Sequence, residues 1–176
     1  MSGTVGDNVA RASGVIASAG GGGGKILQMV QEVITDTASG SFGSFAAVSG
    51  YEIAITPTKE SSKIQLTYSC GLIDCNANSG FKIARDIAGG GYSYLPTGDG
   101  SGVRTQCMFA TGEISRFGGF SSYLDSPSYT LTDEITYQMH AYCSGGTLSL
   151  NRDRTDNNYT YRFRPISTLQ LWEISA

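Results

Sequence analysis

The sequence has few charged residues, few prolines and a single histidine. Charged side chains make up 15% of the 176 residues, proline occurs 4 times, and the formal net charge is -3. A chain this weakly acidic lacks the basic surface that attracts duplex nucleic acid or an anionic membrane. Its apolar runs are too short for a membrane span, and its first residues do not resemble an ordinary secretory signal. We therefore expect no nucleic acid partner, no membrane insertion, and assembly in a cytoplasm.

The residues that are abundant are those of strands and tight turns. The chain contains 24 Gly and 10 Tyr, and it is poor in Lys, Glu and Leu, which favour helices. The tyrosines, together with 7 Phe and many Ile and Val, can supply a core, which argues against disorder. The length fits one domain.

The N-terminal region differs in composition from the rest. Residues 1–19 are mostly small and polar, and Gly20 to Gly24 form an uninterrupted run. Because ordering glycine costs the most backbone entropy, this run predicts a hinge; a phosphate-binding loop would need spaced glycines before a helix. We interpret residues 1–24 as an arm and residues 25–176 as the body. The apolar residues of the arm are Val5, Val9, Val15 and Ile16.

The body alternates between apolar and polar residues in short segments. Residues 131–143 form the clearest strand, with one predicted face of Ile135, Tyr137, Met139 and Ala141 and an opposite face of Thr136, Gln138, His140 and Tyr142. The final strand is predicted to place Leu169, Leu171 and Glu173 opposite Gln170, Trp172 and Ile174, with Trp172 at a sheet face or an oligomer axis.

Turn residues predict how these strands are joined. Ser144 to Gly146 predict a hairpin between residues 131–143 and the following strand, and Gly89–Gly90 predict a second hairpin. Another strand is expected from Val103, with Thr105, Cys107 and Phe109 on the same face. Eight to ten such strands predict an all-β fold, an antiparallel jelly-roll-like β-sandwich.

Catalytic patterns are weak. The only histidine, His140, lies in mid-strand, and no serine sits in a G-x-S-x-G elbow. The carboxylates that could cleave a glycan lie near turns, where Asp is favoured for turn chemistry alone: Asp125, Asp133, Glu134, Asp153 and Asp156. We predict that the chain is not an enzyme; a small glycan hydrolase is the alternative.

Metal patterns are weak as well. Cys70 and Cys75 have a C-x4-C spacing, but a zinc site would need a second close pair or more histidine. We expect these two residues, with Cys107 and Cys143, to be reduced thiols that pack in the core. Two Asp-containing loops lack the calcium pattern of an EF-hand. We predict no metal and no cofactor.

Tyrosines beside loops are the remaining signal. Tyr92 and Tyr94 lie in a Gly-bounded segment, and Tyr159 and Tyr161 follow an Asn-rich loop. Tyrosine on a loop suits recognition because it offers contact area at low entropic cost. Tyr92, Tyr94 and Tyr159 are therefore candidate recognition residues, although alternate tyrosines are also ordinary in strands.

Several short strings, in this order, resemble a known group. They are GKILQ, ITPTKESSKIQL, GFKIARD, GDGSGVRT, SYLDSPSYTLTDEITYQMHA, GGTLSLNR and STLQLWEI. Together they are similar to the small β-rich virion proteins of tailed phages, including cyanophages, over nearly all of residues 25–176. The resemblance implies a jelly-roll-like homotrimer that docks on capsid or tail proteins through an N-terminal segment. Residues 1–24 would be this attachment arm, and we expect Val5, Val9, Val15 and Ile16 to make the docking contacts.

The chain departs from a long tail fibre because nothing between arm and body could form a shaft. We therefore expect a structural protein of a phage virion, a trimeric knob that serves as capsid decoration or short tail fibre. The alternative is a module that binds a host-surface glycan.

Overall fold

The strands dominate the computed structural model, which describes residues 24–112 and 115–176. They are β1 (Ile26–Ile34), β2 (Ala38–Gly40), β3 (Ala46–Ile55), β4 (Lys63–Cys75), β5 (Ser79–Ile87), β6 (Ser93–Tyr94), β7 (Phe109–Thr111), β8 (Ser115–Asp125), β9 (Ile135–Cys143), β10 (Leu148–Leu150) and β11 (Ser167–Ile174). Within these residues no helix is long and apolar enough to cross a membrane. The predicted docking residues Val5, Val9, Val15 and Ile16 lie outside the described residues.

The strands form two antiparallel sheets. The first sheet has the order β1-β11-β4-β10-β2, and β8 pairs with the other edge of β4. The second sheet has the order β3-β9-β5-β6, and β7 also pairs with β5. One sheet is strongly curled. The predicted all-β sandwich is confirmed, whereas the jelly-roll connectivity stays a prediction.

Strand β4 changes its neighbour halfway along. Residues 63–69 pair with β11, and residues 73–75 pair with β10. The pairing of β4 with β8 shifts register between Cys70 and Ile73, as at a β-bulge, which bends a strand. Gly71 lies at this bend, where an added Cβ would collide with the carbonyl oxygen of Ile166. The bend lets one strand pair with β11 along its first half and with β10 at its end.

The core lies between the two sheets and follows the predicted alternation. Ile64, Leu66 and Tyr68 of β4 and Tyr137 and Met139 of β9 are fully buried. Burying one large apolar side chain stabilises the fold by about 1.5–3 kcal/mol relative to its exposed state. The predicted faces of β9 and β11 are confirmed, with Trp172 half-buried on the outer side.

The predicted hairpin between β9 and the following strand is wrong. Strand β10 pairs with β4 and β2 of the first sheet. Both edges of β9 are already occupied, one by β3 and the other by β5, so no edge is free for β10. The chain instead crosses between the sheets at Gly146, whose φ of 76° favours glycine.

The strand predicted from Val103 is largely absent as well. Among residues 103–112, only Phe109–Thr111 forms a strand, and Val103 is fully exposed. Thr105 is also exposed, whereas Cys107 and Phe109 are half-buried. One edge of β5 is shared by two short strands, β6 at residues 84–85 and β7 at residues 79–81. The connection between those two strands therefore leaves the sheet and returns to it.

Candidate functional site

The outer face of the second sheet gathers aromatic and polar side chains from several strands. On β9, Gln138 and His140 point away from the core. The neighbouring strands place Glu52 opposite Gln138, and Lys82 opposite His140. We call this surface the tyrosine patch, which consists of Phe45, Glu52, Lys82, Tyr92, Tyr94, Gln138, His140 and Tyr142.

The turn between β5 and β6 positions the two tyrosines of this patch. Asp86 accepts a hydrogen bond of 2.8 Å from the backbone N–H of Gly91, and Gly91 has a φ of 104°. Tyr94 then pairs with Ala84 at the edge of the sheet. Tyr92 and Tyr94 are each 46% exposed. The turn thus presents both predicted recognition residues to solvent.

A chain of hydrogen bonds fixes His140 in the patch. Its Nδ1 lies 3.1 Å from the Tyr94 hydroxyl, and its Nε2 lies 3.1 Å from Oε1 of Gln138. Gln138 in turn donates a bond of 2.7 Å to Glu52. A neutral ring with the proton on Nε2 satisfies every partner, and partial burial lowers the pKa of His140. The histidine therefore orients Tyr94 and Gln138.

Lys82 packs against the aromatic rings of the same patch. Its Nζ lies 4.2 Å from the ring centre of Phe45 and 4.7 Å from that of Tyr94. A cation over an aromatic face contributes about 0.5–1 kcal/mol at an exposed site. Tyr94 also meets His140 edge to face, with ring centres 5.3 Å apart. Lys82 and His140 therefore pack against the ring of Tyr94 from two directions.

This arrangement suits a ligand with both apolar and hydroxyl-bearing surfaces. Exposed tyrosine rings offer flat apolar contact, while the Gln138 amide, the Glu52 carboxylate and the Lys82 ammonium offer hydrogen bonds nearby. A sugar ring has that combination, because its C–H groups form an apolar face and its hydroxyls form a polar rim.

Tyr159 does not belong to this patch. Its ring stacks on Tyr161 at 5.2 Å, in the loop between β10 and β11 of the first sheet. Ion pairs hold that loop: Arg164 binds Asp156 at 2.7 Å, and Arg162 binds Asp153 at 3.3 Å. The hydrogen bond from Arg164 lowers the pKa of Asp156. The three predicted recognition residues therefore occupy two separate places.

Four of the five acidic residues considered for glycan cleavage have structural partners: Asp125, Asp133, Asp153 and Asp156. Asp125 is buried, binds Arg85 at 2.8 Å and accepts the hydroxyl of Tyr137 at 2.8 Å. Arg116 bridges the buried carboxylates of Asp74 and Asp153, at 3.1 Å to each. Asp133 accepts the backbone N–H of Thr130 within a turn at 2.8 Å. These contacts give the carboxylates a role in stabilising the fold.

The C-x4-C spacing of Cys70 and Cys75 does not describe which cysteines lie together in the fold. Cys70 lies against the sulfur of Met139 at 3.8 Å, and Cys75 lies 2.8 Å from Cys143. Cys70 and Cys75 therefore contact different sulfur atoms and do not share one site. In residues 24–112 and 115–176, no cluster of three or more Cys, His, Asp or Glu could hold a metal ion.

A groove of about 830 Å³ opens between β1, β2 and β3. Its walls carry Tyr51, Phe42 and the acidic Glu32 and Asp36. The groove holds none of the predicted recognition residues, and its lining includes no Lys, Arg or His.

Three successive rows on the outer face of the first sheet contain apolar and polar side chains but no charged ones. Cross-strand pairing aligns Met29, Trp172, Gln65 and Leu124 in one row. The next two rows are Gln31, Gln170, Thr67 and Ser122, and then Val33, Thr168, Ser69 and Phe120. We call these positions the uncharged face. Met29 is 48%, Leu124 43% and Phe120 64% exposed, which is unusual for large apolar side chains in one region.

Sequence reasoning missed most of both surfaces. Tyr92 and Tyr94 were foreseen, whereas Lys82, Glu52 and Phe45 were not, because strand pairing brings them in from distant segments. The outward alternation of Gln138 and His140 was readable, but their hydrogen-bond partners were not. Part of the uncharged face could be predicted from the alternation of the last strand, which places Trp172 and Gln170 on its outward side.

Comparison with known protein families and with curated proteins found no match for this chain.

Proposed function

We propose that this protein is a structural subunit of a phage virion that self-associates as a homotrimer. The observation that supports the proposal best is the uncharged face, whose three rows across four strands contain no charged residue. Lys63 lies in the next row, at the margin of this face. Subunit interfaces are depleted of charge at their centre and enriched in aromatic residues and Met. Trp172 and Met29 lie side by side on this face.

A second copy of the chain is the partner that fits this surface. Its polar groups already bond to one another, with Gln170 donating to Gln31 at 2.8 Å and Gln65 donating to Ser122 at 2.8 Å. Such a face needs no charged complement from a different protein, so a copy of itself can cover it. Three-fold closure follows from the resemblance to phage virion proteins, and closed symmetry is usual for homo-oligomers. The arm, residues 1–24, would then dock on capsid or tail proteins.

Light scattering of the purified full chain tests the assembly. We expect a trimer, and we expect Leu124→Lys to reduce it to a monomer because a buried lysine at the interface lacks a partner. Thr136→Lys, on the outer face of the second sheet, is the matched control and should remain a trimer. A monomeric full chain, or a trimer that survives Leu124→Lys, would contradict the proposed interface. A protein shortened to residues 25–176 should remain a trimer but fail to join particles.

Binding of a glycan on the host surface is the second candidate function, and the tyrosine patch favours it. Binding of the full chain to immobilised glycans should be lost in Tyr94→Ala, since Tyr94 is exposed and fixed by His140. Tyr159→Ala changes a similarly exposed tyrosine in a different loop and should bind normally. Equal loss in both variants, or no glycan bound by the wild type, would remove this candidate.

A further inference from the structure

Two buried thiols, those of Cys75 and Cys143, lie in direct contact. Their sulfur atoms lie 2.8 Å apart, nearer than unbonded sulfur atoms normally lie. The bond length of a disulfide is about 2.05 Å, so a small movement would join them. Cys75 is 0% and Cys143 2% exposed. Neither spacing nor neighbourhood in the sequence signals this pair, because 68 positions separate the two residues.

The pair spans the two sheets. Cys75 ends β4 of the first sheet, and Cys143 ends β9 of the second. Beside them lie the connection from β4 to β5 and the crossing turn at Ser144 to Gly146. The Cys143 thiol also donates to the carbonyl of Gly145 at 2.9 Å. A covalent bond here would tie the two layers of the sandwich together at one end.

We propose that Cys75 and Cys143 form an inter-sheet disulfide when the protein meets an oxidising environment. In a reducing compartment they remain thiols, in line with the sequence expectation. The inference does not depend on the proposed virion function.

The reaction needs an oxidant, and a small-molecule disulfide such as oxidised glutathione supplies it. One cysteine loses its proton and attacks a glutathione sulfur, which forms a mixed disulfide and releases one glutathione. The second cysteine then attacks the protein sulfur of the mixed disulfide and releases the second glutathione. Two protein thiols are oxidised, one small disulfide is reduced, and the two protons end on the two glutathione thiols.

In the folded protein, burial of the two thiols limits the rate at which they are oxidised. Burial raises the pKa of the Cys75 thiol, so little of the reactive thiolate is present at neutral pH. Oxidation of folded protein should be slow and should depend on local opening. Refolding in a glutathione redox buffer removes this barrier, because both thiols are exposed before the sheets close.

The test is oxidation of the full chain by glutathione buffer, both as folded protein and during refolding. We expect the intact mass to fall by about 2 Da for the pair of hydrogens lost. Peptide mapping should join Cys75 to Cys143, with Cys70 and Cys107 still open to alkylation. The midpoint of thermal unfolding should rise by roughly 10 °C, since the bond closes a long loop.

Matched variants separate the cross-link from simple core damage. Cys75→Ser and Cys143→Ser should each abolish the mass change and the thermal shift. Cys70→Ser alters an equally buried thiol and should keep both the mass change and the thermal shift. If the serine variants fail to fold, the corresponding alanine variants replace them. Four alkylatable thiols after both treatments, or a bond through Cys70 or Cys107, would overturn the proposal.

Discussion

Glu173 is a fully buried carboxylate without a cationic partner among its contacts in the described chain. It accepts the backbone N–H groups of Thr58, at 3.0 Å, and of Lys59, at 3.1 Å. The hydroxyl of Ser62 and the amide of Gln28 donate to it, both at 2.8 Å. These bonds join β11 to β1 and to the loop after β3. Glu173→Gln keeps the shape of the side chain and removes its charge, so it tests what this network contributes.

The expected loss of stability follows from the geometry of the donors. Each carboxylate oxygen of Glu173 accepts at least two hydrogen bonds, one set from Lys59 and Ser62, the other from Gln28 and the Thr58 hydroxyl. In the variant, one oxygen becomes an NH₂ group that faces donors. A hydrogen bond to a charged group contributes about 1.5–3 kcal/mol, so losing two should cost about 3–6 kcal/mol. The total free energy of unfolding of a typical domain is about 5–15 kcal/mol.

The variant should also change how stability depends on pH. Burial raises the pKa of Glu173, but the hydrogen bonds from Thr58, Ser62 and Gln28 lower it more, so the folded value lies below normal. Its contribution is therefore complete above the unfolded pKa of about 4.3. It is lost as the pH falls through the folded pKa. Wild type should lose more stability on acidification than Glu173→Gln.

Urea unfolding at fixed protein concentration, at neutral pH and in mild acid, measures both effects. Glu52→Gln is the control, because that carboxylate is exposed and accepts one side-chain bond, from Gln138; it should stay within about 0.5 kcal/mol of wild type. If Glu173→Gln were as stable as the control, the network would contribute little and the reasoning would be refuted.

Two further substitutions probe other buried polar groups. Tyr137→Phe removes the hydroxyl that donates to Asp125 at 2.8 Å, and it should lower the free energy of unfolding in urea by about 1.5–3 kcal/mol; an unchanged midpoint would argue against that bond. Asn151 has a φ of 57° and accepts the Ser167 hydroxyl at 2.6 Å. Asn151→Ala should cost about 2–4 kcal/mol, and Asn151→Gly less because glycine tolerates that φ; equal losses in thermal unfolding would exclude backbone strain as a contributor.

The sequence by itself determined the class of fold and the faces of the long strands. Alternation is a local property, because successive side chains of a strand point to opposite sides. Ile135 to Ala141 and Leu169 to Glu173 could therefore be assigned to inner and outer faces correctly. The buried Glu173 fell on the inner face by the same rule, although its hydrogen-bond donors were not foreseen.

Part of the tyrosine patch could also be predicted. Tyr92 and Tyr94 were recognisable because a Gly-bounded turn presents them within one short segment. Tyr159 has the same local character, yet it lies in a loop of the other sheet. Local sequence shows that a tyrosine is near a turn, but it does not show which other side chains will surround it.

Only the tertiary structure decided which strands pair and which side chains meet. Strand β10 follows β9 after a tight turn, but both edges of β9 are occupied, so β10 joins the other sheet. The same long-range pairing brings Lys82 to Tyr94 and Cys75 to Cys143. Edge availability and sheet packing depend on the whole chain at once, so residues far apart in sequence acquire neighbours that no local pattern specifies.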